Sequence, residues 1–155
     1  MNSIKIFPGW TSKSYDGLKE GRRIRLDNKD LNTTNKNFPD HVIKAGATVY
    51  QGGVNLSFGP EYVNLNLSGV YPNHTEVEVV KLFKGRFINE IDIKERRKVI
   101  VLHKKTAEIL FDKTHTDPIG QFVNAGNVVY QVVGLYNDKG DSGDSDAYLP
   151  FTTLQ

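Results

Sequence analysis

RKVIVLHKKTAEILF, residues 97–111, contains the change of period on which the fold turns. Val99, Ile100, Val101 and Leu102 form an unbroken apolar run of strand length, the mark of a strand covered on both faces. Behind it Ala107, Leu110 and Phe111 recur at helical spacing, so a helix over residues 106–111 can lay one face on a core. A buried strand that runs straight into a helix predicts a domain of mixed structure.

Toward the C-terminus, Asp117-Pro118-Ile119-Gly120 reads as a turn. Residues 121–124 and 128–136 then form a hairpin around Ala125-Gly126-Asn127. Residues 138–146 read as a solvated loop and 147–151 as a last short strand. Pro150 has no N–H to give a ladder, which confines that strand to an edge or places the proline at a strand end.

Toward the N-terminus, residues 86–97 read as a polar connection with one helical turn near residues 90–93. In residues 73–83, Asn73 suits an N-cap, Glu76 follows three residues on, and Val77, Val80, Leu82 and Phe83 fit helical spacing. A helix is expected there, with Gly85 at its C-cap. Within residues 42–71, Val49, Val54, Leu56 and Phe58 lead to a turn at Gly59-Pro60. Val63, Leu65 and Leu67 then alternate with polar neighbours, which predicts a hairpin with one wet face. Gly52-Gly53 inside its first arm predicts a bulge or a bend. Residues 22–26 alternate as a half-buried strand, Asp27 suits an N-cap, and a weak helix over residues 28–37 should stop at Phe38-Pro39. Residues 3–7 read as a strand ended by Pro8-Gly9, and residues 10–21 as a loop. The sum is an α+β domain with antiparallel-rich mixed sheets and two or three short helices.

At 155 residues, one domain can bury roughly 70% of the surface that its unfolded chain exposes. The net charge of +2 gives no reason to expect nucleic acid. The lack of cysteine excludes disulfide frameworks, thiol nucleophiles and thiolate-bound zinc. No apolar stretch approaches the roughly 20 residues of a membrane helix. Residues 1–10 lack the pattern of a signal peptide, and the chain is expected to be a piece of a longer protein.

His41, His74, His103 and His115 fall in different predicted elements without metal-ligand spacing and read as surface or capping residues. There is no G-x-S-x-G elbow, and no enzyme is expected. Asp138, Asp141, Asp144 and Asp146, with Gly140 and Gly143 between them, crowd carboxylates in one loop, weak candidates for a hard cation such as calcium. Their spacing lacks the EF-hand pattern, so the reading preferred is a mobile acidic loop. Lys94-Glu95-Arg96-Arg97-Lys98 could meet phosphate or lipid headgroups, but reads first as a solvated strand entrance. Asn-x-Ser/Thr triplets at Asn32, Asn55, Asn66 and Asn73 fit chance in an Asn-rich chain. Trp10 and Tyr15, with Phe7 close by, either pack a satellite core or present a sticky loop to a partner.

Gly85-Arg86-Phe87, the acidic connection of residues 89–92, Arg97-Lys98-Val99-Ile100-Val101-Leu102, Leu110-Phe111, Asp117-Pro118-Ile119-Gly120, Val132-Val133-Gly134 and Tyr148-Leu149-Pro150 follow one another in this order. That order and spacing resemble the MacB-like periplasmic core domain of ABC transporter permeases, a family related to FtsX. The first eighty residues match more loosely. None of these motifs is chemistry; each reads as a fold marker.

The resemblance implies an extracytoplasmic domain set between two membrane helices of a permease, on the periplasmic side of the inner membrane. It couples ATP hydrolysis elsewhere to export or envelope remodelling. No cofactor is expected in this chain, since it has no phosphate loop and ATP belongs to a separate cytoplasmic domain or subunit. The implied partners are the cognate ABC ATPase reached through the membrane helices, a second permease copy, a periplasmic adaptor and an outer-membrane channel. Family domains continue past the position of Pro150, so a sub-domain is expected to be incomplete here, and the fragment alone is expected to be monomeric. The competing reading is a free-standing periplasmic domain that holds a small ligand on the hairpin faces of residues 62–70 and 128–136.

Overall fold

The computed structural model describes residues 4–40, 42, 44–78, 80–137 and 147–154, without the side chain of Asn28. The chain divides into two compact units, residues 1–45 and 46–155.

In the first unit the helix α1 (Asn28–Asn37) starts where the sequence places it. Its Asn and Thr residues are poor helix formers, and the start is secured by a reciprocal capping box. The Asp27 carboxylate accepts from the Lys29 and Asp30 backbone N–H at 2.7 and 3.1 Å, and the Asp30 carboxylate accepts from the Asp27 N–H at 2.8 Å. Phe38 ends the helix. The two strands expected nearby do not form. Residues 4–9 pair with nothing regular, and residues 22–26 contribute one isolated bridge at Arg23, with Ile24 and Leu26 both exposed. Alternation alone makes no strand where a ladder partner is missing.

The second unit is one seven-stranded sheet with four short α-helices, α2 (His74–Val77), α3 (Glu90–Lys94), α4 (Lys104–Phe111) and α5 (Phe151–Leu154), and a 3-10 turn over Asp112–Thr114. Its strands are β1 (Val49–Phe58), β2 (Glu61–Val70), β3 (Lys81–Gly85), β4 (Val99–His103), β5 (Phe122–Ala125), β6 (Val128–Asn137) and β7 (Ala147–Pro150), ordered β3-β6-β4-β7-β2-β1-β5. β5 also pairs with β6, so β6, β4, β7, β2, β1 and β5 close into a ring with β3 outside it. Two contacts are parallel, β2 with β7 and β4 with β6; the others are antiparallel. This is the expected antiparallel-rich α+β class.

The two hairpins form as read, and the register of β1 on β2 shifts between Gln51 and Val54, at Gly52-Gly53. All five residues of β4 are buried. Its side chains alternate between two cores. Ile100 and Leu102 join Leu56, Leu67, Val123, Tyr130, Val132 and Leu149 in the cluster lined by the inward strand faces, to which α4 adds Ala107, Leu110 and Phe111. Val99 and Val101 face a second cluster with Val70, Ile88 and Tyr136, over which Phe87, Ile93 and Tyr148 pack. Burying each large aliphatic side chain contributes about 1.5–3 kcal/mol, which makes the strand read first in the sequence the shared wall of both cores.

Two expectations change. The helix expected over residues 73–83 is a single turn, α2, and Asn73 makes no side-chain cap. Lys81 onward is β3, antiparallel to β6, and Gly85 ends a strand instead of a helix. Val77, Val80, Leu82 and Phe83 suit either period, and the open edge of β6 decides the outcome. β7 is the central strand of the seven, so the edge reading fails while Pro150 does sit at the strand's end.

Candidate functional site: an aromatic hairpin and a locked junction

Trp10 and Tyr15 lie on an irregular hairpin in the first unit. Trp10 bridges Arg23, and Thr11 ties the two arms through its N–H to the Arg22 carbonyl (2.9 Å) and through its hydroxyl, which accepts from the Arg22 N–H (3.0 Å). Tyr15 and Leu18 exchange backbone bonds of 3.1 and 3.0 Å across Asp16-Gly17, whose φ values of 48° and 75° are both left-handed. Two successive positive φ angles characterise a type I′ turn, for which Asp-Gly is a strong sequence signal. That dipeptide was legible in what read as a loop.

Trp10 is 68% exposed and Tyr15 79%, with Phe7 and Leu18 also open. The rings do not fill a satellite core. Six basic side chains and two acidic ones share residues 4–26 with them, a composition that suits contact with an acidic or amphiphilic surface.

In the second unit the fold-marker residues converge. Asp92, with 0% of its surface exposed, accepts from Arg86 Nη1 at 2.6 Å and Nη2 at 3.1 Å. It also accepts from the Asn89 N–H at 3.0 Å while Asn89 caps its own N–H at 3.0 Å, a second capping box at the start of α3. The Arg86 N–H donates to the Val133 carbonyl at 2.9 Å, where the end of β3 crosses β6. A Cβ at Gly134 would meet the Arg86 carbonyl oxygen at 2.0 Å, and one at Gly85 the Val133 oxygen at 2.3 Å. Only glycine allows the approach. Asp117 belongs to the same corner: its carboxylate accepts from the Ile119 N–H at 3.1 Å and from Lys84 Nζ at 2.6 Å, and these bonds hold its pKa below the ordinary carboxylate value, the Lys84 bond foremost.

Other singled-out residues do not assemble. His103 caps α4, its Nδ1 accepting from the Lys105 N–H at 3.2 Å, and packs edge-on to Tyr136. His74 stacks near Phe87 and Tyr148, and His115 is exposed after the short 3-10 turn that follows α4. His41 and the aspartates Asp138, Asp141, Asp144 and Asp146 lie outside the described residues. Among the described residues no group of His, Asp and Glu is placed to hold a metal, and no helix is long and apolar enough to cross a membrane. Of the hairpins in the competing reading, Leu65, Leu67, Tyr130 and Val132 point inward and are taken up by the core, while Tyr62 and Val129 stay on the outer face.

The model of the MacB-like periplasmic core domain matches residues 1–155. The chain belongs to this family. Within it, the chain is 27% identical over 99% of its length to the macrolide export ATP-binding/permease protein MacB of Rhodopseudomonas palustris, and 28% identical over 99% to that of Neisseria meningitidis. It spans 23% of each of those relatives. The periplasmic region of MacB from Actinobacillus actinomycetemcomitans superposes with a TM-score of 0.71 at 25% identity, covering 84% of this chain and 57% of that one. The extracellular domain of the transporter YknZ from Gram-positive bacteria gives 0.71 at 26% identity, covering 83% and 64%. The MacB-like markers Gly85, Arg86, Gly134 and the 117–120 turn are thus the residues that build the locked corner where β3, β6 and α3 meet.

Proposed function

We propose that this MacB-like domain is a mechanical relay: an extracytoplasmic body that carries movement from the membrane part of an ABC transporter permease to an envelope partner, and performs no catalysis itself. ATP is bound and hydrolysed by a separate domain or subunit. The family match over the whole chain is the observation that supports this reading, and the locked corner gives it a physical basis. A relay must move as a unit, and the pairing of half-exposed Arg86 with buried Asp92, together with two close glycine crossings, resists local deformation. The aromatic hairpin at Trp10 and Tyr15 offers the partner surface, to which an adaptor-like protein binds.

The test uses the parent permease with its ATPase in lipid nanodiscs, spin-labelled at the exposed Asn124 of β5 in two copies. ATP should shift the distance distribution between the labels. Identical distributions with and without nucleotide refute the relay, whatever the domain binds.

A further inference from the structure

A depression of about 460 Å³ opens on the outer face of the ring where the cover of the second core ends. Arg86, Arg97, Lys98 and Gln131 give it polar lining. Val99, Phe122 and Val129 give it apolar surface, Phe122 being 59% and Val129 47% exposed. We propose that this depression binds an anionic amphiphile, a phosphate or carboxylate headgroup joined to an alkyl chain.

Main-chain bonds fix where Arg97 and Lys98 leave the backbone beside the depression. α3 ends in a Schellman motif: the Arg96 N–H reaches the Ile93 carbonyl (3.4 Å) and the Arg97 N–H the Asp92 carbonyl (2.9 Å). Arg96 takes the left-handed position, φ 51°, where glycine is usual. Asp92 therefore fixes two arginines, Arg86 through its carboxylate and Arg97 through its carbonyl. Lys98 is anchored where its carbonyl accepts from the Gln131 N–H at 2.9 Å, next to the first pair of β4 on β6.

The charges leave room for an anion. Asp92 satisfies Arg86. Glu95 meets Arg97 at 2.7 Å with both side chains about half exposed, a surface pair that a better-placed oxyanion can displace. The Lys98 ammonium has no ion-pair partner among the described residues. A fork-shaped guanidinium beside an ammonium that has no ion pair among the described residues matches a phosphate or carboxylate. The apolar side follows from register: Phe122 opposes Gln131 and Asn124 opposes Val129, so Phe122 and Val129 share the outward face while Val123 and Tyr130 point into the core. The volume lies within the range of small-molecule sites. A plain inorganic anion would leave Phe122 and Val129 wet, and an uncharged detergent would leave the cations unused.

The test titrates the full chain, with NMR shifts as readout, using dodecyl phosphate below its micelle concentration, dodecyl maltoside, and inorganic phosphate. Dodecyl phosphate should bind one to one, shifting Val99, Phe122 and Val129, and about tenfold or more tightly than either other probe. R97S/K98S should weaken it about tenfold or more, and F122S should weaken it while leaving inorganic phosphate unaffected. R23S, in the other unit, should bind as the parent chain does. All four substituted side chains are exposed, and unchanged unfolding midpoints establish that the variants fold. Equal binding of dodecyl maltoside, equal binding of inorganic phosphate, or an unaffected R97S/K98S each overturns the proposal. None of these outcomes bears on the relay, which is read in the assembled transporter.

Discussion

Gly134→Ala isolates the steric demand at the crossing of β3 and β6. Its new Cβ would stand 2.0 Å from the Arg86 carbonyl oxygen and 3.3 Å from the Arg86 nitrogen. An ordinary carbon–oxygen contact is about 3.3–3.6 Å, so the strands must part by roughly 1.3 Å. That stretches the 2.9 Å bond from the Arg86 N–H to the Val133 carbonyl beyond hydrogen-bond range. Losing such a bond in a buried setting costs about 1–3 kcal/mol, and forcing volume into a packed site costs about 1–3 kcal/mol more. The expected loss is about 2–6 kcal/mol. Gly126→Ala is the control, because Gly126 has φ 58° with no atom near its prospective Cβ, and only the left-handed conformation, about 1–2 kcal/mol, opposes the change. Urea unfolding followed by circular dichroism measures both. The expected result is a much lower midpoint for Gly134→Ala at an unchanged slope. Equal losses in the two variants, or less than about 1 kcal/mol for Gly134→Ala, would refute the steric account.

Arg86→Ala should destabilise the second unit by about 3–5 kcal/mol, because it leaves the fully buried Asp92 carboxyl without its main partner. Asp92→Ala should cost less, since the half-exposed Arg86 guanidinium can return to water; the reverse order in urea unfolding would contradict this. Lys84→Met should raise the titration of the Asp117 carboxyl toward its ordinary value in carbon-detected NMR. The folded pKa is the depressed one, so the contact stabilises the fold above the ordinary carboxylate pKa and is lost as pH falls through the folded value; an unmoved Asp117 would dismiss the contact. Burial raises the phenol pKa of Tyr130 and of Tyr71, so both should ionise later than an exposed tyrosine in an alkaline titration, and Tyr130→Phe should reduce the late-ionising component without abolishing it. Trp10→Ala with Tyr15→Ala should leave stability within about 0.5 kcal/mol, as both rings are exposed, while weakening co-purification of the parent permease with an adaptor. Retained co-purification would move the partner surface elsewhere.

Local signals carried as far as local physics does. β4, α4 and both hairpins were legible because period and turn chemistry agree over each of them, and Asp27 announced α1 through its side chain. The failures lie where a distant strand decides. Residues 81–85 satisfy a helical and an extended pattern, and only the edge of β6 selects the second. Residues 147–150 look like an edge strand until the parallel edge of β2 is known. Residues 22–26 alternate as a strand should, yet among the described residues only the single bridge at Arg23 forms beside them. At the candidate sites, Trp10 and Tyr15 were visible as residue types, and Asp16-Gly17 could have supplied their hairpin. The joining of Arg86, Asp92 and Gly134 was visible only as motif order, because its cause is a crossing of chain segments far apart in sequence. Arg96 in a glycine position had no sequence signal at all.

The central place of β7 has a consequence for biosynthesis. Leu67 must wait for Ala147, and Val101 for Tyr148, before either strand edge is covered. At about 5–20 residues per second on the ribosome, the interval from the end of β2 to the arrival of β7 is about 4–16 s. During it β2, and β4 once it is made, offer open edges to other nascent chains. A ribosome stalled before residue 147 would release a product with two unpaired edges and no means of closing its ring, a natural substrate for chaperones and proteases.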